Sequence, residues 1–518
     1  MRRLFAFAWV VLAATVQAAG LQPVAVLLPV SVGEVPDGLP LVIQERANAQ
    51  LLQGKVAAFH ARQIAAMASR HAMNLEQFAE PIAARSAAER LGAEVFVYSK
   101  LTALKDGYQL ELSASQVGTP KTSTKTVKLP AGEAAAVSQA ATELANAALA
   151  VTGKKPAKPS LGELPADAAM KDYAACARLL NRQPIGIENP AVLNQAELTA
   201  AAEACRKATK ASPKFVEAWA GLSLAAAIAS NDEVALPSLK SARALAAAHH
   251  VPNLALARFW LVTRYRSGEA GEAVLKEALE KEPGFLLGRG YLGELYNTLD
   301  RHADAARVWQ DYAAVTPGNP FVISRLAYTL ARLGKQTDAV AYAVKALAFD
   351  PASLDLNLEL ASRYLDAGQA EKAIATLEPL AAAKDARAEV VLRLGYAQLV
   401  KGNLDAAEKL SRRAIASATD PADWRTRARA KLNLASVLLK QKKTDEAKQS
   451  VRDAVKDGLH LKDSPATKEL LALFPAGELA KLEVAKPNEA SSLPIAQGEV
   501  DPSGKRAPLP KGFDDAVK

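Results

Sequence analysis

Gly221-Leu222-Ser223-Leu224-Ala225 comes closest in this chain to the spelling of a catalytic device. It approaches G-x-S-x-G, in which a sharp strand-to-helix turn exposes a serine nucleophile. Its neighbours have helical spacing, and a helix interior lacks that turn, so Ser223 is expected to be a packing residue. The 6 histidines contain no His-Glu-x-x-His pair for a metal-held water. His249-His250 precedes Pro252 and reads as a solvated helix end. No G-x-x-x-x-G-K-S/T or G-x-G-x-x-G loop is present to cradle phosphate. Paired carboxylates are plentiful, but on helix faces they are ordinarily solvated. Cys176 and Cys205 lack the adjacent Cys or His that a four-ligand metal site needs. An even pair in an oxidising compartment reads as a disulfide between two antiparallel helices; the alternative is two buried thiols. These residues name no catalytic group, metal or cofactor, and the expectation is a non-enzymatic protein.

Met1-Arg2-Arg3 followed by an apolar run from Leu4 to Val16 has the form of a secretory signal peptide, with Val16-Gln17-Ala18 before the cut. The run is short for a membrane span, so residues 1–18 are expected to be removed and the mature chain to be periplasmic or secreted, without a membrane span. Net charge is +9, or +7 without Arg2 and Arg3, set against 55 acidic residues. No Lys/Arg stripe interleaves with aromatics, so nucleic acid is not an expected partner. Half the residues are hydrophobic, yet mean hydropathy is −0.01 and aromatics are only 5%. The apolar content is therefore largely Ala and Leu, which favour closely packed helices.

The elements that would position any site fall into two kinds. Residues 21–152 do not repeat. Val24–Val30 is a buried apolar run ending near Pro29, Leu39–Gln53 has helical spacing and stops at Gly54, and Val56–Phe59 reads as a short strand. A helix over Glu80–Leu91, strands at Val95–Tyr98, Tyr108–Leu112 and Ser123–Leu129, and an Ala-rich helix over Gly132–Val151 complete the order β-α-β-α-β-β-β-α. Residues 153–166, rich in Pro, Gly and Lys, read as a linker that lets two modules orient separately. Residues 167–483 read as helical throughout. Within them Leu292-Gly293, Leu326-Ala327, Leu360-Ala361 and Leu394-Gly395 recur 34 residues apart, in step with Asp300, Gly334, Gly368 and Gly402 and with Ala305, Ala339, Ala373 and Ala407. Leu434-Ala435 with Ala447 resumes the pattern after an insertion, and Cys176 and Cys205 fall in an irregular first pair. Helix pairs of this period cannot bury their apolar faces alone and must stack on their neighbours. Residues 484–518 have no periodicity and read as a disordered tail.

This period and these residue types resemble the tetratricopeptide repeat (TPR). The resemblance implies a mainly α fold, a TPR-type superhelical solenoid of antiparallel helix pairs, preceded here by a small α/β domain with a mixed sheet. That domain resembles the one at the N-terminus of TolB, through its Val-Ala-Val-Leu-Leu-Pro opening strand and Gly92-Ala93-Glu94-Val95-Phe96-Val97. In the repeat family a groove lined by first-helix residues binds peptide segments or helices. Carried over residue by residue, the groove would comprise Glu294, Asn297, Thr298, Ser324, Tyr328, Arg332, Asp355, Leu358, Ser362, Glu389, Leu392 and Tyr396. The slots that hold carboxylate-reading Lys and Asn in heat-shock chaperone cofactors are Gly290, Ser324, Leu358 and Leu392 here, which implies apolar anchoring instead. The expected function is an exported scaffold for protein–protein interactions in a bacterial envelope. The alternatives are a small-ligand or envelope-stress sensor using the α/β domain, or an envelope enzyme with an unrecognised site. Partner, process and oligomeric state are not written in these residues.

Overall fold

Pro29 divides the first apolar run into two strands, Pro23–Val26 (β1) and Val30–Val32 (β2), rather than the single strand expected. Leu39–Gln53 (α1) has Pro in its first turn and ends at Gly54. Ala57–Ala58 (β3) follows, then Ala61–Arg70 (α2), which the sequence reading did not anticipate. Pro81–Leu91 (α3) stops at Gly92, whose φ of 69° is the left-handed cap that favours glycine. Val95–Leu104 (β4), Gly107–Gln116 (β5) and Thr122–Leu129 (β6) form a meander closed by Glu133–Val151 (α4). The sheet runs β3-β1-β4-β5-β6, with β2 pairing β4 beyond the end of β1. Strand β1 pairs in parallel with β3 and β4, β2 pairs in parallel with β4, and β4–β5 and β5–β6 are antiparallel, so the sheet is mixed. Helices α1 and α4 pack against each other, and α4 covers β4 and β5. The edge strand β6 exposes Lys125 and Lys128 among threonines, residues that discourage pairing with another chain.

This computed structural model describes residues 20–71, 73–156, 164–182, 195–246, 251–420, 423–459, 467–475, 477–482 and 509–517. The expected signal peptide (1–18), the centre of the linker (157–163), His249-His250 and residues 484–508 of the expected tail lie outside them.

Every described element from residue 167 to residue 482 is helical. The pairs are Asp167–Arg182 (α5) with Gln195–Ala211 (α6), Val216–Ile228 (α7) with Asp232–Leu245 (α8), and Pro252–Tyr265 (α9) with Gly268–Lys281 (α10). Leu286–Thr298 (α11) with His302–Val315 (α12) and Pro320–Arg332 (α13) with Gln336–Phe349 (α14) continue the series. Leu354–Asp366 (α15) with Ala370–Ala381 (α16), Ala388–Lys401 (α17) with Leu404–Ser417 (α18), and Trp424–Lys440 (α19) with Thr444–Lys456 (α20) follow, then the short Lys468–Leu471 (α21). The periodic alanines Ala305, Ala339, Ala373, Ala407 and Ala447 are all fully buried. A Cβ at Gly293 would lie 2.6 Å from the Trp309 ring, which is why the small residue of the Leu-Gly pair is needed there. Gly334, Gly368 and Gly402 have φ of 77°, 70° and 89°; Asp300 and Lys442 hold the same slot at 55° and 64°.

The compact units do not follow the expected boundaries. One comprises the chain to Leu326 together with the C-terminal segment, and Ala327–Glu489 form the second. Within the first unit the α/β layer is fastened to the helices. Arg46 pairs with Glu217 at 2.7 Å, Tyr173 donates to Glu45 at 3.0 Å, Gln63 donates to Tyr312 at 2.6 Å, and the Asn319 amide donates to the Leu91 carbonyl at 2.9 Å. These contacts join residues on either side of the expected linker at 153–166. The linker's flanks are held too, with Lys154 donating to the Lys55 carbonyl and the Ala166 amide to the Ser212 hydroxyl. The expectation of disorder over 484–518 also fails at its far end, where Phe513–Val517 (α22) is helical and buries Phe513, Ala516 and Val517. These five residues have too little local pattern to announce a helix. They are ordered by the partners they meet.

Candidate functional site

The expected groove residues divide by fate. In the first unit Glu294 is buried and takes a two-pronged ion pair from Arg325, with Arg325 Nη2 at 2.6 Å from Oε2. Burial raises its carboxyl pKa and Arg325 only partly offsets this. Asn297 is buried, with its Oδ1 3.3 Å from His302 Nδ1. Thr298 is exposed and donates back to the Glu294 carbonyl, and Ser324 is buried.

In the second unit Tyr328 is half-buried beneath the Arg363 guanidinium, 5.5 Å from its ring centre. Arg332 is exposed on the next turn. Asp355 is exposed and pairs with Arg387 at 3.5 Å. Glu389 binds Arg393 at 2.7 Å. Burial works against its charge, but Arg393, Arg387 and Arg429 together hold the carboxyl below its ordinary range. Ser362 accepts from the same Arg393 and donates to the Leu358 carbonyl. Tyr396 is 42% exposed, and Val400, one turn on, is 47% exposed.

Leu358 and Leu392 correct the sequence reading. Leu358 packs with Ala361, Leu377, Val390 and Leu394, and Leu392 with Val391, Ala414 and Ala430. Stacking of neighbouring pairs consumes both side chains, so neither can anchor a partner. The exposed apolar pair on a first-helix face is instead Tyr396 and Val400, at i and i+4 on α17 and thus side by side. Tyr396 was among the expected residues and Val400 was not. Its signal was the same 34-residue register, since Val400 falls in the slot of Arg332 and Asp366.

Ser223 is fully buried within α7, and its hydroxyl donates to the Ala235 carbonyl at 2.9 Å. That is a helix-to-helix packing bond, not a nucleophile elbow. Cys176 and Cys205 are bonded, with Cα atoms 5.3 Å apart, and join α5 to α6. Gly221 lies against them: a Cβ there would come within 2.8 Å of Cys205 Sγ. The Gly-Leu-Ser-Leu-Ala spelling thus reflects packing on a disulfide.

Sequence reasoning missed a buried polar cluster in the first unit. Glu45 accepts from Tyr173 and from Asn181 at 3.1 Å. Burial raises its pKa, opposed by Asn181 and Arg62. His60 caps α2 by accepting the Arg62 amide on Nδ1, and burial with Arg62 nearby lowers its pKa well below the ordinary histidine value. No local signal marks such a set, because Glu45 and Tyr173 stand 128 residues apart. Among the described residues no three His, Cys, Asp or Glu side chains gather as a metal site. No described helix is long and apolar enough to cross a membrane.

Residues 428–456, spanning most of α19 and all of α20, match the tetratricopeptide repeat family model. The four pairs from α11 to α18 share that unit's buried Leu and Ala and its left-handed turn. From α11 to α20 the helix pairs thus repeat the pattern of this matched unit, and a mixed-sheet α/β layer precedes the helices in the chain. No curated protein sequence matches the chain. Among solved structures, a tetratricopeptide repeat protein from Parabacteroides merdae is 15% identical, over 49% of this chain and 98% of its own, with a TM-score of 0.35. Yeast Tom70 is 16% identical over 58% of this chain and 62% of its own, TM-score 0.39, and MamA 19% identical over 34% and 98%, TM-score 0.27. At these identities and scores neither a partner nor an activity carries over.

Proposed function

We propose that this protein is an exported, non-enzymatic scaffold of a bacterial envelope, and that the first-helix face of α15, α17 and α19 binds a segment of a protein partner. Stacked repeats present extended surfaces for protein partners. The observation that carries the reading is the exposed Tyr396–Val400 pair, bordered by the Arg393–Glu389–Ser362 network. An aromatic anchor beside ordered charged groups is the usual make-up of a binding hot spot. The partner segment would place an apolar side chain on Tyr396 and Val400 and polar groups toward Arg393 and Arg429. The Cys176–Cys205 bond supports an oxidising compartment and hence export.

Photo-crosslinking from position 400 in the full-length protein, made in a bacterial envelope and read by mass spectrometry, tests the site. The expected result is one dominant adduct, lost on Tyr396→Ala. Crosslinks unchanged by Tyr396→Ala would remove this face as the site. N-terminal sequencing of the same preparation should begin at Ala19, and an intact Met1 in a cytoplasmic fraction would refute export.

A further inference from the structure

The first unit carries a second surface, separate from the α17 face, on which a piece of the chain itself is seated. Phe513 is buried edge-on against Tyr265 at 5.4 Å, with the Arg266 guanidinium 5.7 Å over its ring. Arg266 also pairs with Asp514, and Lys240 lies 4.0 Å from Asp515. Arg243 donates to the Ala516 carbonyl at 2.9 Å and Arg258 to the Val517 carbonyl at 2.6 Å, so two arginines satisfy the end of α22. The dock is therefore basic and aromatic, and its occupant is a short acidic turn with an aromatic lead and small apolar followers.

A helix of five residues has no stability of its own in water. It is folded here because α8 and α9 supply its contacts. Beside it lies a cavity of about 430 Å³ that shares Arg243 and Arg258 with the dock and is lined further by Glu277, Lys281 and Glu282 and by apolar side chains including Val251, Val274 and Phe285. The occupant leaves that space open, so a foreign segment could bury more surface there than the resident one does.

We propose that the α8–α9 face is a peptide-binding site for partner proteins that bear an acidic, Phe-led helical turn. Phe513–Val517 is then a resident ligand in cis, displaced when such a partner binds. Covalent attachment raises the effective concentration of the resident segment, so it suppresses weak competitors and yields to stronger ones.

The probe is a fluorescent peptide of residues 509–517, Leu-Pro-Lys-Gly-Phe-Asp-Asp-Ala-Val. Its anisotropy is followed with the full chain, with a chain lacking residues 509–518, and with a full-length Phe513→Ala, Asp514→Lys chain whose own segment is released. Both altered chains should bind the peptide at least tenfold more tightly than the full chain. Adding Arg258→Glu and Arg266→Glu should abolish that gain. Equal binding by all three chains, or no binding by an altered chain whose circular dichroism and melting match the parent, overturns the proposal. Loss of amide protection across α8 and α9 in both altered chains also overturns it, because α22 would then be a structural cap and not a ligand.

Discussion

His60 shows how a single side chain ties this fold to pH. It is buried, it caps α2 through Nδ1, and its pKa lies well below the ordinary histidine value because burial and Arg62 disfavour its charge. On acidification the unfolded chain takes up a proton that the native chain refuses. The stabilisation from neutral His60 is thus complete above the ordinary histidine range and is lost as pH falls toward the native pKa. Urea unfolding of the parent should weaken between pH 7 and pH 5 by up to ~1 kcal/mol per pH unit on this account. His60→Asn keeps a capping acceptor and should flatten the slope, whereas an unchanged slope would place the proton elsewhere. Surface and core leucine-type positions separate as cleanly. Tyr396→Ala should leave stability within about 0.5 kcal/mol. Leu392→Ala should cost about 2–5 kcal/mol through the cavity it leaves between α17 and its neighbours. Comparable losses for the two variants would show that Tyr396 is a core residue after all.

At the scale of elements, the turn between paired helices sets the rule. From α11 onward the chain passes through a left-handed residue after each first helix, and glycine does so without strain at Gly334, Gly368 and Gly402. Lys442 makes the same passage with a side chain, at φ 64°. A non-glycine residue there costs ~1–2 kcal/mol, and glycine returns part of this through the greater freedom of its unfolded state. Lys442→Gly should therefore stabilise by up to about 1 kcal/mol, read as a rise in the melting midpoint. A fall would mean that the lysine makes contacts worth more than its strain. The same rule explains what the sequence made legible. Repeated Leu, Ala and Gly at one period specify the helix pairs because each residue answers to its nearest neighbours in the stack. Leu39–Gln53 could be read at both ends because Pro40 and Gly54 mark them. Helix α2 was hidden because histidines, His60 and His71, stand at both its ends in place of the usual capping residue and glycine stop. The end of the chain was hidden because Phe513 acquires its meaning from Tyr265 and Arg266, far away in sequence. Of the expected groove, Tyr396 is exposed at the surface, but Leu358 and Leu392 did not stay open. A 34-residue register says which slot a residue occupies and not how far the next pair closes over it.

At the scale of the whole molecule, the chain contains two compact units, and the disulfide belongs to the first. Repeat arrays and multi-unit chains need not unfold in one step. The Cys176–Cys205 bond spans 29 residues, and closing a loop of that size contributes roughly 3–4 kcal/mol by limiting the unfolded chain. Replacing both residues with alanine should therefore lower the stability of the first unit and leave the second where it was. Tryptophans allow the two to be followed separately. Trp219, Trp260 and Trp309 lie in the first unit and Trp424 in the second. In a Trp424→Phe chain, fluorescence reports the first unit, and calorimetry of the same chain reports both. The Cys176→Ala, Cys205→Ala change should move the fluorescence transition to lower denaturant and only one of two calorimetric transitions to lower temperature. A common shift of every transition would show that the disulfide's influence crosses the boundary at Leu326 and that the two units unfold as one cooperative body.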